Sequence, residues 1–200
     1  PQHRLGRPAG KWGYKSETGK LLFVVVRFDR PDGDGKEVLP LTFCEGPKGR
    51  RSWRWKGAPV PRPLYGLDAL AARPDAPVLV VEGEKAADAA QELFPDFVAV
   101  TSPGGSAAAS KADWKPLDGR TAAIWPDHDK PGAGYASDVT KLASAAGAAS
   151  VAVVAVPAAF LDGWDLADEA PEGWDADKLR HLLSEATPVE AETETDAPGS

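Results

Sequence analysis

Val78-Leu-Val-Val-Glu-Gly-Glu-Lys85 is the stretch that decides the fold. Four apolar residues in a row, three of them β-branched and none alternating with a polar one, read as a strand buried on both faces. Parallel sheets have that pattern. The alanine-rich run at 85–94 reads as the helix that follows it. The same rhythm continues downstream. A strand is predicted at 97–101, and the loop Ser102-Pro-Gly-Gly-Ser106 opens a short alanine-rich helix at Ala107. A strand at 121–125, a helix at 132–146 closed by Gly147, a strand at 150–156 and a helix at 175–185 complete the series. Strands alternating with helices predict an α/β fold, a parallel sheet flanked by helices, over residues 76–186.

Upstream the texture differs. Residues 1–20 read as an irregular lead-in, 21–27 (LLFVVVR) as a strand, 31–35 (PDGDG) as a turn and 38–43 as the returning strand. Lys48-Gly-Arg-Arg51 and Trp53-Arg-Trp-Lys56 then interleave basic and aromatic residues. A short helix at 64–72 ends at the breaker Arg73-Pro-Asp-Ala-Pro77. Residues 1–75 are therefore expected to form a small, basic, β-rich (α+β) subdomain. Beyond Thr187 the chain is Thr, Glu, Ala and Pro with almost no apolar content, which predicts a disordered acidic linker or tail over 187–200.

The net charge of -7 over 200 residues conceals a division. Residues 1–75 carry 15 Lys and Arg against 8 Asp and Glu, whereas residues 76–200 carry 8 against 22. A basic segment attracts polyanions. Arg50, Arg51, Arg54 and Lys56 are candidates to neutralise template or nucleotide phosphates, with Trp53 or Trp55 available to stack on a base. Strict alternation places both tryptophans on one face of a strand and Arg54 with Lys56 on the other, and that spacing favours the tryptophans as core residues. No apolar run is long enough to span a membrane. No secretory signal opens the chain, so a cytoplasmic protein is expected. The lone Cys44 excludes an internal disulfide and reads as a small core residue. With no methionine, the sequence is expected to be a piece of a longer protein.

The acids of the second half recur at strand ends. Glu82 follows the first strand, Asp127 and Asp129 follow the third after Pro126, and Asp165 and Asp168 follow the fourth after a short loop. Ligands of open parallel sheets bind beyond the carboxyl ends of the strands, so the three groups can converge on one point. Such convergence is costly without a cation, because like charges disfavour one another's ionisation. Mg²⁺ suits an all-oxygen site of this kind, and two-metal phosphoryl chemistry needs one. Asp88, Asp96, Asp113 and Asp118 read as ordinary solvated acids, and His128 as a neutral surface or loop histidine pointing away from its acidic neighbours. Lys85 either meets a nucleotide phosphate or is a solvated helix lysine. Gly104-Gly105 lacks the Lys-Ser/Thr ending of a P-loop, so ATPase activity is not expected.

Val80-Val-Glu-Gly-Glu-Lys85, Thr101-Ser-Pro-Gly-Gly105 and Ile124-Trp-Pro-Asp-His-Asp129, in that order, resemble the Toprim domain, in the form found in phage- and plasmid-type DNA primases and primase-helicases. The resemblance covers residues 76–186. It implies a Toprim-like parallel sheet and a nucleotidyltransferase that makes RNA primers from ribonucleotides on single-stranded DNA. It makes Glu82, Asp127 and Asp129 catalytic, and has them hold two Mg²⁺ or Mn²⁺ ions together with Asp165 and Asp168. It further implies a replicative helicase in the same or another chain, and a bacterial, phage or plasmid origin. The sequence departs from the pattern in three places. Many primase-type relatives carry a further acid four residues after the first glutamate, where this chain has Ala86. The third cluster is spaced D-x-x-D. The zinc module usual in such primases cannot be built from Cys44, His3, His128 and His181, so no zinc is expected in this stretch. Two other readings stay open: a Toprim-type nuclease or topoisomerase fragment, the latter with only Tyr14, Tyr65 and Tyr135 as candidate nucleophiles, and a degenerate Toprim binding module tethered to a helicase.

Overall fold

In the computed structural model, which describes residues 2–30 and 35–189, the apolar runs sort the chain into two sheets. The chain runs α1 (Gln2–Leu5), β1 (Gly10–Lys15), β2 (Leu21–Asp29), β3 (Lys36–Glu45), β4 (Arg51–Trp55) and α2 (Leu67–Ala72). It continues through β5 (Val78–Val81), α3 (Glu84–Leu93), β6 (Val98–Val100), β7 (Thr121–Trp125), α4 (Lys130–Ala145), β8 (Ser150–Val153), α5 (Ala176–Ser184) and β9 (Thr187–Pro188). Short 3-10 turns at Ser106–Lys111 and Lys115–Leu117 separate β6 from β7. No helix among the described residues is long and apolar enough to cross a membrane.

The second sheet has the order β6-β5-β7-β8-β9, parallel except for β9. All four residues of β5 are buried because both faces are covered. Val78 and Val80 face α2, α4 and the 3-10 turns, through Leu70, Tyr135, Val139 and Leu117. Leu79 and Val81 face α3, α5 and the segment after β8, through Ala87, Leu179, Phe160 and Trp164. Truncating one such residue, as in Leu79→Ala, costs roughly 2–5 kcal/mol. Asp129 caps α4 by accepting from the Gly132 amide at 2.6 Å, and Gly147, at φ 94, ends it.

The first sheet is antiparallel, β1-β2-β3-β4. Five expectations for this half and for the tail need correction. Residues 1–20 are not irregular. β1 pairs along β2 because Trp12 and Tyr14, two apart, reach one side of the sheet while glycines and lysines disguise the alternation. Leu64, Leu67 and Leu70 pack in the core of the α/β layer rather than with the basic sheet. Trp53 and Trp55 do share a face, but that face is open, and they are 45% and 42% exposed. Cys44 is only half-buried. At the other end, Thr187 and Pro188 form β9 against β8, so the predicted tail loses its first residues; residues 190–200 lie outside the described residues.

Candidate active site

The order β6-β5-β7 contains the site's logic. From β5 the chain crosses one way to β6 and then returns to lay β7 on the other side. The connections diverge at that point and leave a crevice beyond the carboxyl ends of β5 and β7. Val81 and Trp125 are paired neighbours at those ends, so Glu82 and Asp127 leave adjacent strands side by side. Asp165 arrives from the next strand, β8, on a loop held by the second acidic motif itself. The His128 amide donates to the Trp164 carbonyl and the Gly163 amide to the His128 carbonyl, each at 2.9 Å. His128 Nδ1 lies 3.0 Å from the Leu161 carbonyl. A carbonyl only accepts, so Nδ1 carries the hydrogen. His128 is thus a clip for the third acid, a role that alternation along a strand could not reveal.

The three acids line a cleft of about 280 Å³ with Gly104, Gly105 and Lys85. Glu82 Oε1 accepts from the Ser106 amide at 3.2 Å, at the start of the 3-10 turn after the glycine pair. Its other oxygen, Oε2, is buried with no partner. Asp127 has its carboxyl pushed up to about 8, first by burial and then by the negative charge of Glu82, Asp165 and Asp129. Burial also raises Glu82, against the Ser106 hydrogen bond, and raises Asp165, against the Ala167 amide that its Oδ1 accepts at 2.6 Å. The α4 helix begins so close that a Cβ on Gly132 would lie 2.3 Å from the Asp127 carbonyl oxygen, which only glycine allows.

The remaining candidates separate. Asp129 turns to cap α4, with one oxygen committed to Gly132. Asp168 lies outside the cleft, where it accepts from the Asp165 amide at 3.1 Å and pairs with Lys85 at 3.5 Å. Asp168 therefore shapes the loop of Asp165, and Asp129 the start of α4. Among the described residues no three His, Cys, Asp or Glu side chains stand as a ready cage for a metal. The donor set nevertheless suits a hard cation: every donor is oxygen, one is buried without a partner, and the charges repel one another until a cation offsets them.

The opposite wall comes from the antiparallel sheet, with Trp12, Arg27, Lys36 and Val38 on the cleft. The positive charge of Lys36 acts on Glu82, Glu84, Asp127 and Asp165 alike. Arg27 and Lys36 were not among the sequence candidates, because their place depends on how one sheet docks on the other. Arg54 shares their face, opposite Thr42, but sits on the outer strand. Arg50, Arg51 and Lys56 are exposed and, like Arg54, do not line the cleft.

The docking is built from two acids that flank Ala86. Tyr14 donates to Glu84 at 2.7 Å, and Trp12 and Tyr65 donate to the two oxygens of Asp88 at 2.8 and 2.7 Å. Burial raises the Glu84 carboxyl and, with the neighbouring Glu84, raises the Tyr14 hydroxyl. Asp88 is therefore a joint rather than a merely solvated acid. A larger hollow of about 680 Å³ lies over α4, lined by Ala133, Ala136, Thr140, Val153 and Val189. It reaches Pro126, next to Asp127, but no carboxylate lines it.

No family model matches the chain, and no curated protein matches it. Solved structures do. The chain is similar to the Aquifex aeolicus primase, zinc-binding and RNA polymerase domains, at 20% identity and TM-score 0.58, over 88% of this chain and 40% of that one. It is similar to a DnaG primase catalytic domain bound to ssDNA, at 18% identity and TM-score 0.54, over 89% and 51%. It is also similar to the RNA polymerase domain of Mycobacterium tuberculosis primase DnaG, at 20% identity and TM-score 0.51, over 89% and 55%. The chain spans about half the length of these structures. At such identities the likeness shows the fold: a parallel-containing sheet flanked by helices with an added antiparallel sheet, as in primase catalytic cores.

Proposed function

We propose that this chain is the Toprim-bearing part of a DNA primase core, which joins ribonucleotides on a single-stranded DNA template by metal-dependent nucleotidyl transfer. The carrying observation is the convergence of Glu82, Asp127 and Asp165 at the strand-order switch, with Glu82 Oε2 buried and unpartnered. Glu82, Asp127 and Asp165 would hold Mg²⁺ or Mn²⁺, with the free oxygen of Asp129 nearby. Two bound ions would align the 3′-hydroxyl with the α-phosphate and offset charge on the leaving pyrophosphate. The Ser106 amide keeps one Glu82 oxygen fixed, and the other is left buried without a partner. Asp127 gives up its proton when positive charge enters. Arg27, Lys36 and Lys85 face the acids and draw the nucleotide's phosphates between the walls. Arg50, Arg51, Arg54 and Lys56 supply basic surface for the template. The similar catalytic domain bound to ssDNA supports the choice of template. A replicative helicase would be the partner, in a bacterial, phage or plasmid setting.

The test is primer synthesis from ribonucleotides on single-stranded DNA with Mn²⁺ or Mg²⁺. Asp127→Ala and Glu82→Ala are expected to lower the rate about 10²–10³-fold. Parent-like rates in both variants would sink the assignment. One observation favours a second reading, a binding module without catalysis: the acids around Ala86 are committed to docking, and no ready three-ligand cage exists among the described residues. Calorimetry with Mn²⁺ separates the two, since binding that is lost in Asp127→Asn supports the enzyme and no heat above dilution supports the module. Cleavage of DNA without nucleotides would instead favour a nuclease.

A further inference from the structure

The antiparallel sheet has two faces and only one of them meets the cleft. The register sets Phe43 opposite Trp53 and Leu41 opposite Trp55, so all four share the outer face with Val24 and Val26 of β2. Phe43, Trp53 and Trp55 are 49%, 45% and 42% exposed. Helix α1 covers only the far corner, where Leu5 packs on Val26 and Phe28. A shallow hollow of about 380 Å³ remains between Trp53, Trp55, Phe28, Leu41, Pro8 and Lys11. Exposed aromatic surface of this extent marks a contact site.

Charge and ring geometry select the occupant. Among the described residues the acids of this face, Glu37 and Glu45, are already neutralised, by Arg4 at 2.7 Å and by Arg51 at 3.2 Å. Lys11 lies on the hollow's rim, and Lys48 and Arg50 are exposed just before β4. The rings are not stacked on one another. Phe43 and Trp53 are tilted 52° with centroids 5.3 Å apart, and Phe28 and Trp55 are tilted 58° at 6.0 Å. Trp53 and Trp55, two residues apart on a strand, are spaced about 7 Å. Each therefore keeps a π-face for a separate base. β4 is an edge strand that carries the exposed Arg51 and Arg54, and charged edges resist pairing with a second copy.

We propose that the outer face of β3 and β4 is a stacking platform for single-stranded nucleic acid, separate from the acidic cleft, with Trp53, Trp55 and Phe43 under the bases and Lys11 beside the backbone. The proposal rests on the nucleic-acid half of the function proposed above and not on its chemistry. The experiment is fluorescence anisotropy of labelled oligo-dT with the whole chain. Trp53→Ala and Trp55→Ala are each expected to weaken binding about tenfold, and Trp53→Phe with Trp55→Phe to retain most of it. Lys11→Ala should lower the salt slope by about 1. Asp127→Asn should bind oligo-dT like the parent, even where primer synthesis is lost. Parent-like binding by the Trp53→Ala/Trp55→Ala protein, with unchanged circular dichroism and Tm, overturns the proposal. So does a parent dimer in sedimentation that this double variant turns into a monomer, because the face would then be a self-interface. Binding lost in Asp127→Asn as well overturns it in favour of the cleft.

Discussion

The two sheets solve opposite problems. The parallel sheet is covered on both faces, and everything it offers to a ligand is gathered at one edge, where three carboxylates crowd. The antiparallel sheet has one face docked through Tyr14 and Trp12 and the other open with three aromatic rings. The first concentrates negative charge that is uncomfortable without a cation. The second spreads positive charge and flat rings over a surface. A cleft between two such walls places cationic side chains against carboxylates across a gap, which suits a ligand that brings both phosphates and metal.

The comparison can be broken at either wall. The largest effect is expected at Gly132. Gly132→Val would drive its side chain into the Asp127 backbone, so a loss of roughly 2–4 kcal/mol is expected in chemical denaturation, together with loss of primer synthesis. The joint between the sheets comes next. Tyr14→Phe leaves Glu84 buried without its partner, and a loss of about 1–3 kcal/mol is expected by the same measurement. If stability is unchanged, the two walls are not coupled through that bond.

A smaller effect carries a sign that separates the walls. Asp127 holds its proton up to about 8 in the folded chain, far above an ordinary aspartate. Between roughly pH 4 and 8 the folded state thus binds a proton that the unfolded state has released, and stability falls as pH rises through that window. Glu82 and Asp165 are raised too, and add to the same slope. Asp127→Asn is expected to raise the metal-free Tm at pH 8 by about 2–4 °C and to flatten the dependence on pH. Mn²⁺ should raise the Tm of the parent more than that of this variant. A lower Tm in Asp127→Asn would mean that the acids are not in conflict. The smallest effect is expected at the exposed pair Lys15–Asp68, at 2.9 Å, where Lys15→Ala should change stability by less than about 1 kcal/mol.

The walls were also unequally legible in the sequence. β5 and β7 announce themselves because burial on both faces removes every polar interruption, and the acids one or two residues beyond them inherit that clarity. Thr121–Trp125 was bounded to the residue. β1 was hidden because its outward positions are Gly and Lys, so only Trp12 and Tyr14 carry its alternation. For Trp53 and Trp55, alternation gave the shared face and could not say whether anything covers it. Arg27, Lys36, Glu84 and Asp88 owe their roles to contacts between sheets, over separations that no local pattern encodes. β9, two residues long, leaves no periodic trace.

The clip at His128 has a consequence for how this site can vary. The third acid hangs from the peptide groups of the residue lying between Asp127 and Asp129, through bonds at Gly163 and Trp164. Its distance from the second acid is therefore set by main-chain geometry on both sides, independent of the route taken from β8. Val154 and Phe160 are buried in the core, so the slack lies between them: the exposed stretch around Ala158 and Ala159 is where residues can be added or removed while Asp165 keeps its place. Relatives of this chain would be free to decorate that segment, and so change what approaches the cleft from that side, without rebuilding the cleft itself.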